Sequence, residues 1–226
     1  MTSLTEAFRS LFEVNMGIAA GERIVVFSDI IRPDETPSAT DTDRRMRLRA
    51  VAEEAARFAG ETYGNTRFVS FPATAASGAE PPEELWRAVL GDGIVGRLAV
   101  EGLLSRLLAK QANPRELEQA RQVVLSRKEE VADVVVALAN NSTSHTRFRA
   151  LVNDGGGRFA SLPNFDPEMF FTSMRVDWQA LAERTGRLAR GVNSAEEIVV
   201  ACPNGTRMRF GKQGRSAAGD DGLLTA

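Results

Sequence analysis

An apolar run, Val134-Val135-Val136-Ala137-Leu138, gives way at once to the polar stretch Asn140-Asn141-Ser142-Thr143-Ser144-His145-Thr146. A helical pattern follows, then the triple glycine Gly155-Gly156-Gly157, then the short run Arg158-Phe159-Ala160-Ser161-Leu162 ended by Pro163. The first run is too short for a buried helix and lacks polar alternation, as expected of a strand covered on both faces. Two parallel strands need a crossover of a dozen or more residues, usually a helix, and this order supplies one. The segment therefore predicts a βαβ unit, and it contains the only histidine of the chain.

The same alternation extends over the sequence. Ser3-Leu4-Thr5-Glu6 has the spacing of a capping box, and Leu4, Ala7, Phe8, Leu11 and Phe12 share one helical face. Arg23 to Asp29 is a second covered strand. A helix is expected from about Asp41 to Ala59, a strand over Arg67 to Phe71, and a helix after Pro81-Pro82. Leu98 to Leu108 reads as another helix, and Asn113-Pro114-Arg115-Glu116 as an N-cap followed by a proline in the first turn. Asp177 caps a further helix with Trp178, Leu181 and Leu188 on one face. Glu197 to Cys202 is a strand, with Cys202 a buried small hydrophobe. Thr206 to Phe210 alternates like an antiparallel edge strand.

The fold class expected is α/β: a three-layer αβα, Rossmann-like arrangement. Its sheet is mostly parallel with helices on both faces and an antiparallel edge strand near the C-terminus. Residues 1–211 form one α/β domain in this reading, and 212–226 a glycine-rich connection.

A formal net charge of -2 on 226 residues leaves no concentrated basic face for nucleic acid. The arginines of Asp43-Arg44-Arg45-Met46-Arg47-Leu48-Arg49 read as a solvated helix face. No apolar run approaches the ~18 residues of a membrane span, so no membrane partner is expected. The N-terminus lacks the pattern of an export signal, and a cytoplasmic location is the expectation.

Chemistry-bearing motifs are sparse. The segment after the first strand, Ser28-Asp29-Ile30-Ile31-Arg32-Pro33, carries no GxGxxG, and the triple glycine precedes a strand, so it opens no helix onto a pyrophosphate. Gly211-Lys212-Gln213-Gly214-Arg215-Ser216 lacks the GxxxxGK[ST] order. With one histidine and one cysteine, a zinc site has too few soft donors. The pairs Asp41/Asp43 and Asp220/Asp221 are the nearest carboxylates, the first placed where a helix start favours acids. His145 has two readings, a loop-packing residue at a helix start or a ligand-facing imidazole titrating near pH 6.5. In open parallel sheets ligands collect past the carboxyl ends of strands. Asn140, Asn141, His145 and Arg147 are accordingly candidates for a substrate-entrance rim, together with the loop Ser28–Ile31.

Three segments carry a family likeness: Val14-Asn15-Met16-Gly17-Ile18-Ala19-Ala20-Gly21-Glu22-Arg23-Ile24-Val25-Val26, Ser144-His145-Thr146-Arg147-Phe148-Arg149-Ala150 with the glycine turn and Ser161-Leu162-Pro163, and Glu197 to Phe210 with Cys202-Pro203-Asn204-Gly205-Thr206. Through them the chain resembles the N-terminal domain of the thermophilic metallo-aminopeptidase family, of the aminopeptidase T or leucyl aminopeptidase type. The resemblance implies a peptide substrate and a divalent metal pair, zinc, cobalt or manganese, in the complete enzyme. Such a pair would polarise the peptide carbonyl and lower the pKa of a bridging water. In that family the ligands belong to a later region that begins with an Asn-x-Pro-x-Gly-Glu segment. Nothing in 1–226 matches it, so no ligand or catalytic residue carries over to a numbered position. The expectation is a chain that holds no cofactor itself, is inactive alone, and pairs as a homodimer. Ring-cleaving dioxygenases of the dihydroxypyridine type resemble it as well in their first domain. A non-catalytic α/β binding module stays open as the third reading.

Overall fold

The computed structural model describes residues 3–224; Thr225 and Ala226, the end of the glycine-rich tail, lie outside the described residues. The chain divides into two compact units, one running up to Arg175 and including Leu224, the other Val176–Leu223. The division falls inside the span 1–211 that the sequence presents as one domain.

The first unit is built on four parallel strands: β1 Ile24–Ile30, β2 Thr66–Pro72, β3 Val134–Ala137 and β4 Arg158–Ser161. Their order across the sheet is β2-β1-β3-β4, and every pairing is parallel. β1 and β3 lie side by side, Val26 opposite Val136. The chain leaves β1 toward β2 on one side and returns to β3 on the other, so the order reverses between β1 and β3.

Side chains of successive strand residues point to opposite faces. Ile24, Val26, Val134 and Val136 enter one apolar core with α1 (Leu4–Arg9), its π-helical extension Ser10–Asn15 and α2 (Ala39–Tyr63). Val25, Phe27, Val135 and Ala137 enter a second core with helices of the β2-to-β3 crossover, α3 Glu83–Leu90, α4 Asp92–Val100, α5 Leu103–Leu108 and α6 Pro114–Leu125, and with α7 Arg147–Asp154. Helices thus cover both faces, giving the three-layer αβα, Rossmann-like architecture. Burying an aromatic such as Phe27, with no exposed surface, stabilises by roughly 1.5–3 kcal/mol.

Local signals set the boundaries. Ser3 and Glu6 exchange their capping-box hydrogen bonds, as do Asn113 and Glu116. The helix expected over 98–108 is two helices, because Gly102 takes a left-handed conformation (φ 72°) that interrupts the ladder between α4 and α5. The turn between α7 and β4 passes through Gly156 at φ 93°, which explains part of the triple glycine.

The second unit contains α8 Trp178–Ser194, β5 Glu197–Ala201 and β6 Arg207–Gly211. The Asp177 side chain caps α8 by accepting the Ala180 N–H at 3.0 Å. β6 is antiparallel, as its alternation implies, but it pairs with β5 in a separate two-stranded sheet and is no edge of the parallel one. Alternation reports which residues share a face; it carries no information on which sheet a strand joins. Cys202 is exposed in the turn after β5, contrary to the expected burial, because β5 is itself only partly covered, with Val199 and Ala201 exposed.

Candidate functional site

The strand order reverses between β1 and β3, and the region beyond their carboxyl ends is the place where open α/β sheets bind ligands. Three segments build it: the end of β1 and its loop to α2, the loop after β2, and the loop Leu138–Thr146 after β3.

Asp29 is its centre. It is 4% exposed, and its two carboxylate oxygens accept the backbone N–H groups of Asn140 at 2.9 Å and Asn141 at 3.3 Å. Burial pushes the Asp29 carboxyl above the ordinary carboxylate range, against the two amide donors and the nearby Arg45 charge, which pull it down. The Asn141 side chain donates to the Thr74 carbonyl at 2.6 Å, and Arg32 reaches the same carbonyl at 2.8 Å. The Asn140 side-chain oxygen accepts from Arg44, whose guanidinium also pairs with Asp41 at 2.6 Å. One polar network therefore joins all three loops to the first turns of α2.

Arg45 is the main departure from the sequence reading. The arginine run of α2 is a solvated face only in part: Arg49 is exposed and paired with Glu53, Arg47 is half-buried between Asp43 and Asp166, each at 2.9 Å, and Arg45 is 4% exposed. Its Nη1 pairs with Glu35 at 2.5 Å, and Glu35 also takes Arg32 at 3.3 Å. The Arg45 hydrogen bond, ahead of smaller contributions from Arg32, holds the Glu35 carboxyl below its ordinary value. Arg45 Nε and Nη2 have no hydrogen-bond partner. The helix starts over a loop that folds inward at Glu35, and this fold-back, invisible in the periodicity, encloses Arg45.

Of the candidate rim residues, the structure brings Asn140 and Asn141 together on Asp29 and sets His145 and Arg147 apart. His145 is exposed, and its carbonyl accepts Lys110 Nζ at 3.1 Å. Arg147 opens α7 with an exposed side chain. Its N–H and that of Phe148 donate to the Glu80 carboxylate at 2.6 and 3.0 Å. Glu80 caps this helix from a distant loop, and burial raises its carboxyl above the ordinary range. Glu35, Arg45 and Glu80 went unrecognised as site-forming residues, and Asp29 was covered only as a member of the rim loop Ser28–Ile31. The one local signal was an acid ending a covered apolar strand at Asp29.

Among the described residues no three His, Cys, Asp or Glu side chains converge as a metal-holding group. The acids of this region are engaged with amides and guanidinium groups, so these residues do not fit a divalent pair. Among the described residues no helix is long and apolar enough to cross a membrane. Compared with known protein families, curated proteins and solved structures, the chain gives no match.

Proposed function

We propose that this chain is an α/β N-terminal domain of the metallo-aminopeptidase type, serving an enzyme that removes N-terminal residues from peptides. The observation that carries the reading is the placement of one likeness-bearing segment. Ser144-His145-Thr146-Arg147 closes the loop that follows β3 and leads into α7, and the glycine turn and β4 follow, ending on Ser161-Leu162-Pro163. The Glu22-Arg23-Ile24-Val25-Val26 segment likewise enters the central strand β1. In this reading the domain supports and borders the path of the peptide, and the two-metal chemistry belongs to residues other than 1–226. A cytoplasmic location and pairing into a homodimer are parts of the same proposal.

The test is an assay of residues 1–226, alone and within the whole reading frame of its gene, on aminoacyl amides with zinc, cobalt or manganese. The expected result is metal-dependent release of the N-terminal residue only by the longer protein. Turnover by 1–226 alone, or a whole reading frame inactive with all three metals, would overturn the proposal.

A further inference from the structure

A cavity of about 200 Å³ opens between the end of β1 and α2, lined by Asp29, Ile30, Ile31, Arg45, Met46 and Arg49. It lies at the carboxyl end of a central strand, the preferred ligand position in open parallel sheets. Sites for drug-sized ligands run to roughly 300–1,000 Å³, so an occupant here is smaller.

The lining combines both charges with apolar walls. Each Asp29 oxygen accepts one backbone amide, and a carboxylate oxygen has room for a further donor. Arg45 spends one nitrogen on Glu35 and leaves Nε and Nη2 without partners. A buried guanidinium with unused donors is costly unless something supplies acceptors. Arg49 pairs with Glu53 one turn along the same helix at 3.0 Å, an exposed ion pair of small energy that leaves it free to re-aim. Ile30, Ile31 and Met46 offer apolar surface.

We propose that this cavity binds a small free α-amino acid as its zwitterion, the ammonium on Asp29, the carboxylate on Arg45 and Arg49, and the side chain against Ile30, Ile31 and Met46. A simple anion would meet Asp29 and Glu35 unfavourably, and a simple cation would meet the two arginines. A ligand carrying both charges satisfies both sets. The inference goes beyond the aminopeptidase-type reading and does not depend on it.

The test is a titration of the 15N-labelled 226-residue chain, followed by NMR, with glycine, L-alanine and L-valine. N-acetyl-L-valine and L-valinamide, each lacking one charge, serve as comparisons. The expected result is saturable shifts at Asp29–Ile31 and Arg45–Arg49 with at least one free amino acid, and at least tenfold weaker response to both blocked forms. Met46→Trp, introduced at a side chain 65% exposed and filling the cavity, is expected to weaken binding at least tenfold with an unchanged melting temperature. Arg49→Ala, also on the surface, serves if the Trp variant fails to fold, with a loss of about fivefold expected. No saturable shift with any free amino acid, equal response to the blocked forms, or unchanged affinity in a folded variant would overturn the proposal.

Discussion

The Asp29 carboxylate, at the end of β1, accepts the backbone N–H of Asn140 at 2.9 Å across 111 residues of chain. Through this bond, and its companion to Asn141, one strand-end loop is fixed by the neighbouring strand. A buried acid thus does the work that a ligand or a water would otherwise have to do for two loop amides.

For this reason Asp29→Asn should cost about 1–3 kcal/mol at neutral pH, since the amide side chain accepts at one atom only and leaves a buried donor unpaired. The pH dependence has a definite sign. A carboxyl raised by burial binds its proton more tightly in the folded state, so its ionisation weakens the fold as pH rises through the raised value. The advantage of the wild type over Asp29→Asn should therefore grow as pH falls through that window. Urea unfolding at several pH values measures it, and a gap that shrinks on acidification contradicts the assignment.

Glu35, close by, should behave with the opposite slope. Its carboxyl is depressed, first by the Arg45 hydrogen bond, so its contribution is present above the unfolded value and is lost as pH falls through the folded one. Glu35→Gln should destabilise by about 1.5–3 kcal/mol near neutrality, the range for hydrogen bonds to charged groups. The difference from wild type should fade in acid. A pH-independent difference would show that the Glu35–Arg45 pair is not the source.

Two glycines of α4 predict a contrast. A Cβ at Gly96 meets nothing within 4 Å, whereas one at Gly93 would press into the Glu130 carboxylate and lie 2.8 Å from Arg127 Nη1. That carboxylate accepts the N–H groups of Gly93 and Ile94 at 2.9 and 3.2 Å, capping the helix start. Gly96→Ala should stabilise by about 0.5–1 kcal/mol. Gly93→Ala should fall at least about 1 kcal/mol below it, because the displaced cap offsets the gain in propensity. In a Glu130→Ala background the two substitutions should converge, and thermal melts of the four variants decide.

His145→Ala and Arg147→Ala should each change stability by less than about 0.5 kcal/mol, since both side chains are exposed and their segment is held through backbone atoms. Glu80→Ala, which removes the acceptor of two α7 amides, should cost about 1–2 kcal/mol. If the histidine variant proved as destabilised as the Glu80 variant, His145 would hold the loop in place, and its assignment to a solvent-facing rim would fail.

The layered α/β class and most element positions are legible in the order of residues alone. Covered apolar runs such as Ile24–Phe27 and Val134–Leu138, capping boxes at Ser3 and Asn113, and the crossover between β3 and β4 are local patterns, and local patterns follow from backbone geometry and periodicity. Asn140 and Asn141 were legible as strand-end residues for the same reason. Long-range contacts alone made Asp29 clasp them, enclosed Arg45 more than any other arginine of α2, set Glu80 to cap α7, and paired β6 apart from the parallel sheet. Each of these joins residues through space across a fold-back or a distant loop, and hydrogen bonds and ion pairs of that kind leave no periodic trace along the chain.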